Sequence, residues 1–277
     1  MENYAKEIAQ KITEMGYDAR FMPVEKANGI MKNAVVVNNI GDSVGVTIYT
    51  DDMYRNNMTV DDAVMEAKKL FNANLDGGKK VADIINNITD YEWVKKNLTL
   101  RLYNKSTKAD LFRSAKRYGF DDLILVPYIS VESGAVKVKE EFLAKWGVDK
   151  NTVFKDALAN LKKDVYEKTM ADFLAGQMGM TASEMFGPFI DASLTNSLVL
   201  SNNDQMFGAS AVIAKLPELK KRYEHGFYVI PSSVHEVIIF GKMTDNDESK
   251  LSNMVGLVNN DCLQPEEILG TKAYAFV

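Results

Sequence analysis

Short apolar segments that alternate with turn residues are the feature that most constrains the fold of this chain. The clearest is 98–103, where Leu98, Leu100 and Leu102 recur at every second position, as in a strand that buries one face. Turn-forming pairs, such as Asn28 with Gly29, separate several of the others. Because tight turns join strands of opposite direction, the pattern favours antiparallel sheets over a doubly wound parallel sheet.

Amphipathic helices are predicted between the strands. Apolar residues recur at helical spacing in 4–15 and 60–71, and Thr59 with Asp62 has the spacing of a helix cap. The other predicted helices cover residues 81–85, 107–118, 140–146, 151–161, 171–177, 218–224 and 247–259. The other predicted strands cover residues 21–24, 34–37, 44–49, 123–131, 135–138, 197–201, 209–214, 227–230, 236–240 and 273–277. Pro127 lies within one of these strands, which predicts an edge position or a bulge.

The order of these elements predicts an α+β fold. Mainly antiparallel sheets would carry helices packed on them, in recurring strand–strand–helix units. With 277 residues, of which 46% are hydrophobic, the chain can bury a large core. We expect a single globular chain, 1–277, in which residues 1–104 and 105–277 can form two α/β lobes.

The N-terminal segment and the single cysteine bear on where the protein works. Residues 1–16 lack the basic start and the continuous apolar stretch of a signal peptide. No apolar run approaches the roughly 20 residues that cross a bilayer. Cys262 cannot form an internal disulfide, which fits a reducing compartment. These features predict a cytoplasmic protein that is not embedded in a membrane.

The charge balance favours some partners over others. The net charge is −5 and the pI is about 5.3, whereas a general nucleic-acid-binding protein is usually basic. One basic stretch departs from this balance and consists of Arg101, Lys105, Lys108, Arg113, Lys116 and Arg117. Two interpretations are open: a local patch for an acidic partner, and the favoured one, the solvated face of a helix.

The segment after Pro231 brings together the side chains most typical of catalysis. It holds two hydroxyls, Ser232 and Ser233, followed by His235 and Glu236. A serine hydrolase needs a nucleophile, a base within hydrogen-bonding distance and a group that orients the base. If the residues after Ser233 form a strand, however, His235 and Glu236 point to opposite faces. The favoured interpretation is a turn whose serines bind backbone groups, and the hydrolase is the alternative.

Asp51 and Asp52 follow a predicted strand and are the candidates for metal ligands. A hard cation usually needs more oxygen ligands than two carboxylates supply, so a cap for the next segment is favoured. Two histidines and one cysteine are too few for a usual structural zinc site. The motifs of phosphate-binding loops, dinucleotide-binding folds, zinc proteases and serine esterases do not occur. The sequence therefore predicts no metal and no cofactor.

Five segments carry a family pattern. They read VTIYTDDMY (46–54), VKVKEEFLAKWGVDKNTVFKDALANL (136–161), LVLSNNDQMFGASAVI (198–213), YVIPSSVHEVII (228–239) and PEEIL (265–269). In these segments the chain resembles a family known only as a domain of unknown function, common in gut clostridia and related Firmicutes. Residues 105–121 and 165–195 depart from the pattern. The resemblance implies an intracellular bacterial protein of one architecture and brings no assigned activity and no catalytic residues.

Taken together, these observations predict a non-catalytic interaction protein, an accessory or mobile-element product that binds another protein. The missing catalytic and cofactor motifs in a well-formed globular chain are the reason for this prediction. The first alternative is a hydrolase that uses Ser232 or Ser233 with His235. The second is a nucleic-acid-binding inhibitor that acts through the basic stretch.

Overall fold

The computed structural model describes residues 1–40, 45–74, 84, 86–131, 134–242 and 248–277. These residues form three antiparallel sheets with helices packed on them, which confirms the predicted α+β class. Residues 81–83 and 85 of one predicted helix, residue 247 of another and residue 44 of one predicted strand lie outside the described part. Among the helices that are described, none combines the length and the apolar character that a bilayer crossing requires.

The N-terminal sheet is covered by the two amphipathic helices that the sequence predicts. Its elements are α1 (Glu2–Glu14), β1 (Asp18–Glu25), β2 (Met31–Asn38), β3 (Val46–Tyr49), α2 (Asp51–Arg55) and α3 (Val60–Ala73). The strand order is β1-β2-β3. Ile8 and Ile12 of α1 and Phe71 of α3 are buried against Val35 and neighbouring strand residues. The Thr59 hydroxyl oxygen accepts from the Asp62 N–H, so the predicted cap is confirmed.

The second sheet is built around a long central strand. Its elements are α4 (Tyr91–Asn97), β4 (Leu98–Asn104), β5 (Arg113–Ser114), β6 (Leu123–Val131), β7 (Gly134–Lys137), α5 (Glu140–Trp146) and α6 (Lys150–Leu161). β4 pairs with one side of β6, and β5 and β7 share the other side. Pro127 therefore lies in a central strand. The Pro127 carbonyl accepts a hydrogen bond from the N–H of Val138, just beyond β7. β5 pairs no further than Leu125, so the position at which Pro127 lacks an N–H donor falls between β5 and β7.

The predicted helix 107–118 is wrong. Leu111 and Ala115 are buried, as its apolar stripe required, but the chain forms turns, β5 and a 3-10 turn at Lys116–Tyr118. Arg113 and Ser114 pair with β6, and this pairing uses backbone groups that a helix would need. Tertiary pairing has overridden a local helical pattern.

The third sheet contains five strands in the order β12-β10-β11-β9-β8. Its strands are β8 (Tyr166–Thr169), β9 (Leu198–Ser201), β10 (Phe227–Pro231), β11 (Val237–Gly241) and β12 (Tyr274–Phe276). The accompanying helices are α7 (Met170–Gln177), α8 (Ala182–Phe186), α9 (Ala192–Asn196), α10 (Ala211–Arg222) and α11 (Glu248–Asp261). The strands predicted near β9, β10, β11 and β12 are therefore confirmed.

The predicted strand 209–214 is also wrong, because these residues enter α10 through a 3-10 turn at Gly208–Ser210. All six are buried. A short run that is apolar on every side fits a buried helix and a buried strand equally well. The helix predicted for residues 218–224 therefore begins earlier, at Ala211, and Pro217 lies inside it.

Two large apolar cores lie in the described chain, one under the N-terminal sheet and one joining the second and third sheets, and a third, small cluster lies between α7 and α8. β4 ends at Asn104 and pairs with β6, so the second sheet draws on both predicted lobes, and the division at residue 104 stays a prediction. Asn28 ties the N-terminal part to the rest, since its side-chain N–H group donates to the carbonyls of Pro265 and Ile268 at 2.8 and 2.7 Å. Lys32, which is 7% exposed, pairs with Glu266 at 3.0 Å.

Candidate functional site

A cleft of about 1060 Å³ lies along the outer edge of β4. One wall consists of β4 and the β6–β7 hairpin, and the other consists of the C-terminal end of α6 and the loop 202–207. Both apolar and polar side chains of these four segments line the cleft. A concave site in which a few polar groups converge is the usual place for a ligand.

Arg101 lies in this cleft between two aromatic rings. Its guanidinium carbon is 4.2 Å from the centroid of the Tyr128 ring and 4.1 Å from that of the Phe207 ring. Arg101 pairs with Val126, two residues from Tyr128, so strand alternation places Arg101 and Tyr128 on one face of the sheet. No carboxylate of the described chain forms an ion pair with Arg101. The guanidinium also interacts with the Tyr128 hydroxyl, and its other N–H groups can reach a ligand in the cleft.

Two phenols support this arrangement. The Tyr103 and Tyr128 hydroxyl oxygens are 3.4 Å apart, and the Tyr103 ring contacts the rings of both Tyr128 and Phe207. Burial, followed by the neighbouring Tyr103 phenol, raises the pKa of Tyr128, while Arg101 acts in the opposite direction. Tyr128 therefore stays neutral, and its ring face is available to the cation.

The other charged residues of the cleft lie at its rim. Lys96 and Lys163 are exposed, as is Asp204. Asp164 is bound within the protein, because its Oδ1 accepts from the backbone N–H and the side-chain Nδ2 of Asn203 at 3.0 and 2.8 Å. The charge of the cleft is thus positive at Arg101 and mixed at the rim.

Two asparagines give the cleft hydrogen-bond acceptors. Asn97 Nδ2 donates to the Trp93 carbonyl at 2.9 Å, which turns the side-chain oxygen the other way. Asn160 Nδ2 donates to the carbonyls of Lys95 and Leu98 at 2.7 and 3.0 Å. Neither Oδ1 has a hydrogen-bond partner within the described ranges. Both can accept an N–H group from a ligand.

The loop between β9 and α10 carries Phe207 and is tightly constrained. Met206 and Asn202 bond twice, from Met206 N–H to Oδ1 and from Nδ2 to the Met206 carbonyl, each at 3.0 Å. Phe207 has a φ of 57°, in the left-handed region that few residues other than glycine adopt. A Cβ on Gly208 would lie 2.7 Å from Asn202 Oδ1. Such a conformation persists only where the surrounding structure holds it.

The segment proposed for catalysis lies directly behind this loop. Ser232 Oγ donates to Glu236 Oε1 at 3.0 Å, and Ser233 Oγ accepts from the backbone N–H of His235 at 3.0 Å. Both serines thus bind groups within the turn, and β11 begins only at Val237. No hydrogen bond of the described residues joins either hydroxyl to the His235 ring.

His235 contacts the Phe207 loop through its ring and its backbone. Nδ1 accepts from the Phe207 N–H at 3.1 Å, and the two rings are 5.1 Å apart. The His235 carbonyl accepts from Gly208 N–H at 3.0 Å and from Ser201 Oγ at 2.7 Å. Nε2 lies 3.6 Å from Glu267 Oε1. Phe207 and Glu267 lie in two segments of the family pattern, but nothing in the sequence connects them with His235, because both are distant from it along the chain.

The basic stretch does not form one surface. Arg113 pairs with Leu125 and Arg101 with the adjacent Val126, so the two arginines lie on opposite faces of the second sheet. The Arg113 guanidinium lies 4.4 Å from the Phe154 ring centroid. Lys105, Lys108, Lys116 and Arg117 are exposed on turns, and Lys108 pairs with Glu25 at 3.0 Å. The predicted helix face is wrong because the helix does not form, and of the six residues Arg101 alone lines the cleft.

Asp51 and Asp52 have separate contacts. The buried Asp51 carboxylate accepts from the backbone N–H and the side-chain Nδ2 of Asn33 at 2.7 and 2.9 Å, which anchors α2 to β2. Asp52 is exposed and pairs with Arg55 at 3.0 Å. In the part of the chain that the structure describes, no three His, Cys, Asp or Glu side chains are grouped as a metal ion would need.

The fold and the cleft define an α+β protein in which an arginine lies between two aromatic rings in an open cleft. The chain belongs to a family of unknown function, DUF5688, whose model matches residues 1–277. The resemblance to a family of unknown function is thereby confirmed. No curated protein and no solved structure matches the chain.

Proposed function

We propose that the protein is a non-catalytic binding protein whose cleft holds an acidic segment of another protein. The observation that carries the proposal is Arg101, a half-buried guanidinium between Tyr128 and Phe207 that forms no ion pair with a carboxylate of the described chain. Two aromatic rings in contact with the guanidinium restrict its movement, and its N–H groups match a carboxylate. The cleft therefore supplies a ready partner for a Glu or Asp side chain.

The acceptors beside Arg101 favour a peptide over a simple anion. Asn97 and Asn160 line the same cleft, and the side-chain oxygen of each has no hydrogen-bond partner in the described chain. A peptide has backbone N–H groups for these oxygens and acidic side chains for Arg101, whereas an inorganic anion offers acceptors only. The cleft is also open along β4, which suits an extended chain.

The two alternatives receive less support from the geometry. The hydrolase hypothesis needs a serine hydroxyl beside an imidazole nitrogen, but Nδ1 of His235 binds Phe207 and Nε2 faces Glu267. The nucleic-acid hypothesis needs a continuous basic surface, and the six basic residues are spread over both faces of a sheet and several turns. Both stay predictions that activity and binding assays can decide.

The setting of this function follows from the resemblance and from the cysteine content. A chain with the single Cys262 suits a reducing interior. We therefore place the protein in the cytoplasm of bacteria of the clostridial and wider Firmicutes groups, as an accessory or mobile-element product.

The test is the binding of a labelled hexapeptide in which Gly and Glu alternate, compared with the same peptide carrying Gln in place of Glu. Fluorescence anisotropy should show binding of the Glu peptide and much weaker binding of the Gln peptide. Arg101→Gln should weaken the Glu peptide by about 10- to 100-fold, because a hydrogen bond to a charged group contributes about 1.5–3 kcal/mol.

Arg117→Gln is the matched control. Arg117 also lies over a tyrosine ring, 4.6 Å from the Tyr118 centroid, but outside the cleft. Equal affinity for the Glu and Gln peptides, or equal losses in the two variants, would refute the proposal. Salt-sensitive binding of labelled DNA or RNA would support the nucleic-acid hypothesis instead, and ester or peptide hydrolysis that is lost in His235→Ala would support the hydrolase.

A further inference from the structure

We infer that His235 is a positioning residue for the cleft, and that its protonation releases Phe207 from Arg101. The inference rests on the proposed function, because it concerns the same arginine. It assigns a role to the segment 232–236 that differs from catalysis. The segment holds the loop that covers one face of the Arg101 guanidinium.

The first step is the contact between the imidazole and the loop. Phe207 N–H donates to His235 Nδ1 at 3.1 Å, and the Phe207 ring lies 5.1 Å from the imidazole and 4.1 Å from the Arg101 guanidinium carbon. Phe207 thus connects His235 to Arg101. Because Phe207 adopts a positive φ, its position depends on such contacts.

The second step is that the His235 backbone is fixed independently of the ring. Its carbonyl accepts from Gly208 N–H and from Ser201 Oγ, and its N–H donates to Ser233 Oγ. The imidazole is therefore presented to Phe207 from a rigid base. Loss of the hydrogen bond at Nδ1 should therefore move the loop that carries Phe207, and not the backbone of His235.

The third step is the chemistry of the ring nitrogens. While Nδ1 accepts from Phe207, the proton of neutral His235 is on Nε2, which faces Glu267. Uptake of a proton at Nδ1 turns the acceptor into a donor, so the Phe207 N–H loses its partner. The Glu267 carboxylate lies 3.6 Å from Nε2 and stays close to the ring in both protonation states.

Other titratable groups surround His235 as well. Glu236, the next residue, has a carboxylate oxygen that accepts from Ser232. Arg101 and Tyr103 lie on β4, across the Phe207 ring. The direction of the effect is set by geometry, because the protonated ring cannot accept from the Phe207 N–H, so affinity for an acidic segment should be lower once His235 has taken up a proton.

The coupling can be tested without any ligand. Protein labelled with ¹⁵N-phenylalanine is titrated from pH 8 to pH 5.5, and the Phe207 amide signal is assigned by its absence in Phe207→Leu. The Phe207 signal should move with the titration of His235. It should stay constant in His235→Asn, whose side-chain oxygen can replace Nδ1 as acceptor and does not titrate in this range. His225→Asn removes the other histidine, which is exposed, and should leave the Phe207 titration unchanged.

The consequence for binding is measured with the same Glu peptide, which keeps its charge because glutamate titrates near pH 4.3. The dissociation constant of the unaltered protein and of His225→Asn should rise about three- to tenfold between pH 8 and pH 5.5, as expected for one lost hydrogen bond. In His235→Asn the ratio of the two dissociation constants should be close to one.

The outcomes separate this inference from the proposed function. A Phe207 signal that does not follow pH, or a pH response of binding that is the same in His235→Asn, overturns the role of His235. A Phe207 signal that follows pH as expected, in a protein that binds the peptide at neither pH, leaves the His235 contact intact and refutes the proposed function.

Discussion

Gly208 offers a sharp test of how the Phe207 loop is held. A Cβ at this position would overlap the backbone nitrogen of Asn202 and the Ser201 hydroxyl, and would lie 2.7 Å from Asn202 Oδ1. The backbone nitrogen cannot move away by a change of rotamer. Gly208→Ala should therefore displace the loop 202–207 as a whole, or separate it from β9.

The expected cost follows from this overlap. Forcing an extra methyl group into a packed site usually destabilises a protein by about 1–3 kcal/mol, and a backbone overlap places Gly208→Ala near 3 kcal/mol. At roughly 2 °C per kcal/mol for a chain of this size, Tm should fall by about 6 °C. The displaced loop should also move Phe207 from Arg101 and weaken binding of the Glu peptide.

Gly256→Ala is the matched control, since it makes the same chemical change in the interior of α11, where no atom lies within 4 Å of the added Cβ. Replacing a helical glycine by alanine should stabilise the protein by about 0.5–1 kcal/mol. Thermal and urea denaturation of the two variants measure both effects. A Gly208→Ala protein that is as stable as the unaltered protein would show that the loop is not packed as described.

Two further predictions concern stability. Lys32→Met should destabilise the protein by about 3–5 kcal/mol in urea denaturation, because it leaves the largely buried Glu266 without its cation. The double variant Lys32→Met, Glu266→Leu should lose less stability than Lys32→Met alone. A double variant that is less stable than Lys32→Met would contradict this. Burial, followed by a hydrogen bond to Asp122, raises the pKa of Tyr274, so its contribution to stability is present below about pH 10 and is lost as the pH rises further. Tyr274→Phe should flatten the decline of stability between pH 9 and pH 11, and an unchanged slope would count against this contribution.

Local patterns predicted those elements whose apolar residues distinguish one face from another. In α1 and α3 the buried residues recur at helical spacing, and in β4 they recur at every second position. Each pattern fits only one of the two periods, so helix and strand could be told apart. Two of the errors lie where that distinction fails. Residues 209–214 are buried on every side, and residues 107–118 have a helical stripe whose backbone pairs with β6.

The candidate site was predicted only in part for a different reason. Arg101 and the segment 232–236 were recognisable as chemically distinctive residues, but a sequence shows neighbours along the chain and not across it. The cage around Arg101 needs Tyr128 from β6 and Phe207 from the β9–α10 loop. The contact that holds Phe207 comes from His235, just before β11.

The sequence by itself determined the α+β class, the antiparallel pairing and most of the helices, because these depend on periodicity and turn chemistry within short stretches of chain. Tertiary structure alone decided that the Ser232 to Glu236 turn supports a loop, that the basic residues divide between two faces of a sheet, and that Arg101 is enclosed by rings. Each of these depends on strand register and on contacts between distant segments. A register shift of one residue would move Arg101 to the other face and remove the cleft's cation.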